Sequence, residues 1–334
     1  MNSIKTAMVT GGAGFIGSHL VELLVSKGVH VTVYDNFATG KLSNLDNVKS
    51  SKYLQVIEGS ILDQELLNSS LNGIDNVFHL AGIGEIVPSI SNPLRYMQVN
   101  VIGTANLMES ARKAGVKRVV YAASSSCYGL ANTPTDENEP IDLRHPYALS
   151  KFQGEVAALG WGKIYGVEVN SIRIFNAYGR RVRTSGDYGA VMGVFLKQKI
   201  AGAPLTIVGD GSQLRDFLHV RDVAEAFYLA GVTESFGRIW NLGAGNPQSV
   251  QTLAGYISED VIYIPHRPGE PLETHADISK VKHDLGWEPK VTFEEGIKEI
   301  LENLDEWSDA PLWTPDLIAT ATREWFEILE SGIE

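Results

Sequence analysis

The chain has 334 residues, 44% of them hydrophobic and 20% charged, enough for one large domain or two closely joined ones. Its net charge of −12 argues against a general affinity for nucleic acid or an anionic membrane, while leaving room for a basic pocket around one phosphate-bearing ligand. The single cysteine, Cys127, has no internal disulfide partner and fits a reducing cytoplasm; neither a signal-peptide pattern nor an apolar run of about 20 residues is found.

In chain order, Ile4–Thr10 reads as a first strand. Gly11-Gly12-Ala13-Gly14-Phe15-Ile16-Gly17 follows it and opens a helix predicted over Phe15–Ser26. Val29–Tyr34 is a second β-branched run, and Val77–Ala81 and Arg118–Ala123 read the same way, with a helix over Val99–Ala114 between them. Strands alternating with helices predict an α/β fold: a Rossmann-type, doubly wound parallel sheet covered on both faces.

After about Tyr178 the pattern changes. Segment 180–192, rich in Arg and Gly, reads as a loop, and Pro204–Val208, Trp240–Leu242 and Val261–Ile264 as short strands separated by helices. The expected organisation is a dinucleotide-binding domain over 1–178, rejoined by part of 210–250, and an interleaved substrate lobe over 179–304. An extension over 305–334 carries Trp307, Trp313 and Trp325, three of the six tryptophans, and is expected to pack on the body or on a partner subunit.

The glycine-rich turn carries the first chemical signal. Gly11, Gly14 and Gly17 allow a tight turn, backbone approach to a pyrophosphate, and close helix–sheet contact. The helix N-terminus adds amides and a positive dipole end. Asp35 closes the second strand, where a carboxylate accepts from an adenosine ribose 2′-hydroxyl and repels a 2′-phosphate, so NAD is expected over NADP.

Tyr147 and Lys151 stand four apart and share one helix face. A phenolate base near neutrality needs a pKa about 3 units below the free value of ~10, worth roughly 4 kcal/mol. A Lys ammonium and a cationic nicotinamide have the right sign to supply it. The spacing alone favours a surface helix with an aromatic anchor.

These motifs, with Asp35-Asn36, His79-Leu80-Ala81-Gly82, Asn100-Val101-Ile102-Gly103-Thr104, Ser124 to Gly129, Phe175-Asn176 and Arg215-Asp216-Phe217, resemble the extended short-chain dehydrogenase/reductase family. Within it, the chain is most similar to the nucleotide-sugar 4-epimerases, over roughly residues 5–300. The resemblance implies that Gly11, Gly14, Gly17, Phe15 and Ile16 cradle the NAD pyrophosphate and that Asp35 holds the adenosine ribose. Ala81 and Asn100 would line the nicotinamide side, Lys151 would contact its ribose and acidify Tyr147, and Asn36 and Ile61 complete the cofactor set. Ser124 would bind the sugar hydroxyl undergoing oxidation, with Ser126 nearby. Asn176, Arg215 and Arg267 would hold the diphosphate, and Glu270 the nucleoside ribose. No metal is implied, and a homodimer formed through the Val99–Ala114 helix and the Tyr147 helix is.

The sequence also departs from the family. Gly59-Ser60-Ile61 replaces the usual Gly-Asp near the adenine, and Arg180, Arg181 and Arg183 add charge to a loop that either closes on substrate or stays solvated. Glu85 falls in a segment bordering the sugar, where it contacts a hydroxyl, repels an acidic sugar or faces water. Ser125 and Ser126 stand where related 4,6-dehydratases carry an acidic pair and decarboxylases a Glu, so elimination lacks its acid and base. A 3,5-epimerase cysteine would align with Ser126 rather than Cys127. The expectation is hydride-return epimerisation at C4 of a nucleotide hexose. Its rivals are a dehydratase, decarboxylase or other oxidoreductase of the same family and, in a different class, a non-catalytic NAD-binding regulator.

Overall fold

A computed structural model describes residues 4–182 and 189–331. Arg183, one of the three loop arginines, lies outside them. Seven strands form one parallel sheet: β1 (Thr6–Thr10), β2 (His30–Asp35), β3 (Leu54–Glu58), β4 (Asn76–His79), β5 (Arg118–Ser124), β6 (Glu168–Ile174) and a last strand, Ile239–Leu242. Their spatial order is Ile239–Leu242, β6, β5, β4, β1, β2, β3. The order reverses beside β1, and in such sheets the crevice at the carboxyl ends of the strands at that point receives the ligand.

Side-chain alternation explains why both faces are covered. Ala7 and Val9 of β1 join the cluster that buries Leu20, Val21 and Leu24 of the Phe15–Ser26 helix with Val223 and Phe227 of the Val220–Val232 helix. Met8, between them, faces the opposite cluster of Leu107, Met108, Ala111 and Ala158 from the Gly103–Ala114 and Pro146–Tyr165 helices. The helix expected from Val99 begins instead with a π-helical stretch, Met97–Ile102, before regular α-helix over Gly103–Ala114.

A second core, around Phe195, Leu196, Leu205, Ile207, Leu253, Ile300 and Trp307, lies beyond the carboxyl edge. Three two-stranded pairs accompany it: Asn176–Tyr178 with Phe217–His219, Leu205–Val208 with Val261–Ile264, and Leu214–Arg215 with Gln248–Ser249. The tryptophan-rich extension packs on the body of its own chain. Trp307 is buried in the second core, and Trp325 is buried on the Pro315–Ser331 helix. Among the described residues, no helix is long and apolar enough to cross a membrane.

Candidate active site

The glycine turn is built so that nothing larger fits. Gly11 has φ +68°, and a Cβ there would sit 2.7 Å from the Ala81 amide nitrogen; a Cβ on Gly17 would run into the Gly11 carbonyl. The turn is closed by Asp35, whose carboxylate accepts from the Ala13 amide at 3.0 Å and the Phe37 amide at 2.8 Å. Burial nevertheless raises the Asp35 pKa, with those two amides opposing it. Two of roughly four acceptor positions remain for a ribose hydroxyl. The crowded backbone, the open helix N-terminus and the carboxylate at the end of β2 together fit a dinucleotide, and these residues would hold it.

The other expected cofactor residues surround this turn. Ala81 donates its amide to the Thr10 hydroxyl at 3.2 Å. Asn100 clasps the following loop, accepting from the Ile83 amide at 2.8 Å and donating to the Ile83 carbonyl at 3.1 Å and the Ser150 hydroxyl at 3.0 Å. Ile61 is buried against Gly103. Asn36 is exposed and turns its side chain onto the Ala38 amide at 3.1 Å.

From the turn, a cavity of about 970 Å³ runs across the carboxyl edge of the sheet. Gly14, Phe15 and Ile16 line its cofactor end, Ser124, Ser126 and Tyr147 its middle, and Asn176, Arg215, Arg267 and Glu270 its far wall. Glu85 borders it as well. Elements distant in sequence thus bring these groups to one cleft, while Asp35, Ala81, Asn100 and Lys151 are not among its lining residues.

The Pro146–Tyr165 helix positions the phenol. His145 caps it by accepting the Ala148 amide at 3.2 Å, Pro146 occupies the first turn, and Gly166 ends it in the left-handed conformation. Burial pushes the Tyr147 phenol above the ordinary tyrosine value, and the neighbouring Ser124 hydroxyl opposes that shift. Ser124 both ends β5 and caps the next turn, accepting the Ser126 amide at 3.2 Å and donating to the Ser126 hydroxyl at 3.1 Å. Lys151 is buried with its ammonium on the Ala122 carbonyl at 2.5 Å. In the chain by itself, burial thus favours the protonated form of the Tyr147 phenol.

The far wall is pre-paired. Glu270 takes Arg267 at 2.9 Å and Arg215 at 3.7 Å. Burial lowers the Arg215 pKa, against the pull of Glu270. Arg215 turns to Glu270 and not to its neighbour Asp216, which accepts the amides of Ala244, Gly245 and Ala276. Asn176 accepts from the Thr274 hydroxyl at 2.7 Å. Arg180 and Arg181 are not a solvated loop either. Arg180 is bound to Glu306 of the extension, and Arg181 to Glu22 and Ser18 of the cofactor helix.

Two of the lining residues, His145 and Trp325, were not among the expected site residues. The imidazole lies parallel to the Tyr147 ring with centroids 5.9 Å apart, and Trp325 packs on the imidazole, also at 5.9 Å. His79 and Cys127 are buried; burial pushes the Cys127 thiol up to about 12, which fits packing rather than nucleophilic chemistry.

The profile of the NAD dependent epimerase/dehydratase family matches residues 7–243. A UDP-glucose 4-epimerase of Mycolicibacterium smegmatis is 34% identical, covering 88% of this chain and 97% of its own. A UDP-N-acetyl-alpha-D-glucosaminuronate decarboxylase of Bacillus cytotoxicus is 33% identical, covering 89% and 97%. The crystal structure of a UDP-glucose 4-epimerase from Thermotoga maritima, with UDP-glucose, is 33% identical with a TM-score of 0.84, covering 90% of this chain and 99% of the other. The match spans most of the chain, and the chain belongs to the NAD dependent epimerase/dehydratase family.

Proposed function

We propose that the protein is a nucleotide-sugar epimerase that inverts a hexose carbon, C4, by oxidation and re-reduction. One observation carries this reading. Ser124 and Tyr147 share the cleft, and the turn that follows Ser124 presents Ser125 and Ser126 rather than carboxylates. Proton transfer at a hydroxyl then has its base, while elimination or decarboxylation lacks the extra acid–base pair.

NAD, when bound, supplies reversible storage of the hydride. The chain's residues do the rest. Ser124 holds the sugar hydroxyl, and Tyr147 takes its proton and later returns it. Lys151 keeps positive charge next to the phenol. Arg215 and Arg267 anchor the diphosphate, so the sugar turns over while its carrier stays fixed; Asn176 and Glu270 complete that wall. Glu85 at the sugar end disfavours an acidic sugar by repulsion. Similarity to UDP-sugar enzymes supports a UDP carrier.

The decisive experiment offers a panel of nucleotide sugars in deuterated water. Epimerised product without deuterium at the inverted carbon is expected; deuterium there, or loss of water or carbon dioxide, overturns the reading. Tyr147→Phe should lower turnover at least a hundredfold while NAD stays bound. Protein that keeps NAD but converts no nucleotide sugar would favour a regulator instead.

A homodimer belongs to this reading. Ile102, Val156, Ile164 and Tyr165 are exposed on the helical face formed by Met97–Ala114 and Pro146–Tyr165, where a second copy would cover them. The buried single thiol and acidic surface fit the cytoplasm.

A further inference from the structure

The Pro315–Ser331 helix closes over the mouth of the cleft at three places. Glu324 accepts from the Ser91 hydroxyl at 2.5 Å, beside the segment that carries Glu85. Trp325 donates its indole N–H to the Pro268 carbonyl at 3.0 Å, next to Arg267. Leu329 lies over Gly269. The helix thus ties the sugar side of the cleft to the diphosphate side, and Trp325 faces inward, only 3% exposed, against His145.

That contact fixes an imidazole. His145 is pinned from behind by Trp325, and its ring is parallel within 6° to that of Tyr147. Its Nδ1 accepts the Ala148 amide as the helix cap, so that nitrogen carries a lone pair. Burial, opposed by Glu270, holds the His145 pKa down to about 4, so the ring is neutral near pH 7. A neutral imidazole with a free lone pair on Nδ1 carries its proton on Nε2. Among the described residues no protein group takes that N–H, and the ring lines the cavity beside Tyr147.

We propose that His145, clamped by Trp325 of the C-terminal helix, is a substrate-binding residue that donates its Nε2–H to an oxygen of the hexose, making this helix part of the active site. The proposal rests on the nucleotide-sugar reading and adds to it a contact to the sugar. Capping sets the tautomer, stacking sets the ring plane, and the indole prevents the ring from swinging toward the mouth. A hydroxyl or an N-acyl oxygen would satisfy the donor, whereas an ammonium of an amino sugar would not.

The test compares ligands that differ only in the sugar. Affinities of the NAD-loaded protein for UDP and UDP-glucose are measured calorimetrically, with dTDP and dTDP-glucose as the pair if the wild type takes thymidine nucleotides instead. His145→Ser keeps a good N-cap while removing the imidazole. It should weaken the hexose-bearing ligand about tenfold, leave the bare nucleotide unchanged, and lower kcat/KM with its melting temperature preserved. In the difference between the nucleotide sugar and the bare nucleotide, Trp325→Ala should reproduce the H145S loss, Trp325→Phe should largely restore it, and the double variant H145S/W325A should be no worse than H145S alone. If W325A does not fold, H145S carries the test by itself. Equal weakening of nucleotide and nucleotide sugar, or an H145S protein that binds both like the wild type, overturns the proposal. A wild type that binds no nucleotide sugar overturns the epimerase reading instead, and the two failures are told apart by that control.

Discussion

Lys151 places its ammonium on the Ala122 carbonyl, on the strand that ends in Ser124, and 4.7 Å over the Tyr121 ring. Tyr147, Ser124 and Lys151 are thereby held by one strand–helix contact, and the lysine charge sits in a buried site. Burial draws the Lys151 pKa down to about 8, with Glu155 opposing. Activity that needs this ammonium should therefore fall as pH rises through about 8. A pH profile of kcat/KM for the NAD-saturated enzyme checks this, with Lys151→Gln expected to be slow throughout and to lack the limb. A wild-type rate that stays level up to about pH 10, near the free lysine value, would count against it.

Behind Lys151, Glu155 meets Arg173 at 2.7 Å with both side chains nearly inaccessible to water. The Ser171 hydroxyl donates to the same carboxylate at 2.5 Å, and Arg173 donates to the Tyr128 hydroxyl at 2.7 Å. Arg173→Met strands a buried carboxylate and should cost about 3–5 kcal/mol, read from urea unfolding at neutral pH. The paired replacement E155M/R173M should recover much of that stability, because a buried pair gives little net gain over apolar packing. Equal instability of the single and double variants would show that packing at this site matters more than charge.

That pair also explains what sequence reading could and could not see. β1, β2, β4 and β5 were legible because strands buried on both faces are apolar and β-branched, and the Phe15–Ser26 helix because its apolar spacing follows a glycine turn. β6 was missed: Asn170, Ser171 and Arg173 break the apolar run, yet all are buried with partners supplied from elsewhere in the chain. β3 was missed because it is an edge strand, half-exposed along its length. Trp240–Leu242 read as a strand, but only long-range pairing with β6 puts it in the main sheet. The candidate residues in the cleft came from motifs with fixed spacing. His145 against Trp325 had no such signal, since the contact joins two segments far apart in sequence.

The cofactor turn makes a separate prediction. A Cβ on Gly17 collides with the Gly11 carbonyl, a backbone atom that cannot rotate away. Gly17→Ala should shift the turn and reduce bound NAD well before it unfolds the protein, because the helix beyond it is anchored by Leu20, Val21 and Leu24. NAD released by acid from the purified variant, compared with wild type, measures this. Full retention of NAD together with an unchanged melting temperature would show that the turn tolerates the methyl.

Acid stability is set by buried imidazoles. His79 bridges the Thr10 hydroxyl at 2.8 Å and the Thr104 hydroxyl at 3.0 Å, and burial, aided by the Lys151 charge, lowers its pKa to about 3. Burial likewise lowers His19, His145 and His219 to about 4. Unfolded histidines titrate near 6.5, so between that value and 3–4 the unfolded chain binds protons that the folded chain does not. Stability is then fully present above about pH 6.5 and falls as pH drops, by up to about 1.4 kcal/mol per pH unit for each group. Most carboxylates titrate lower, so the upper part of this window belongs to the histidines. Urea unfolding at pH 7 and at pH 5 should show a lower midpoint at pH 5, and replacing His79 with Gln should flatten the dependence. Equal midpoints at the two pH values would mean that these rings take up protons in the folded protein after all.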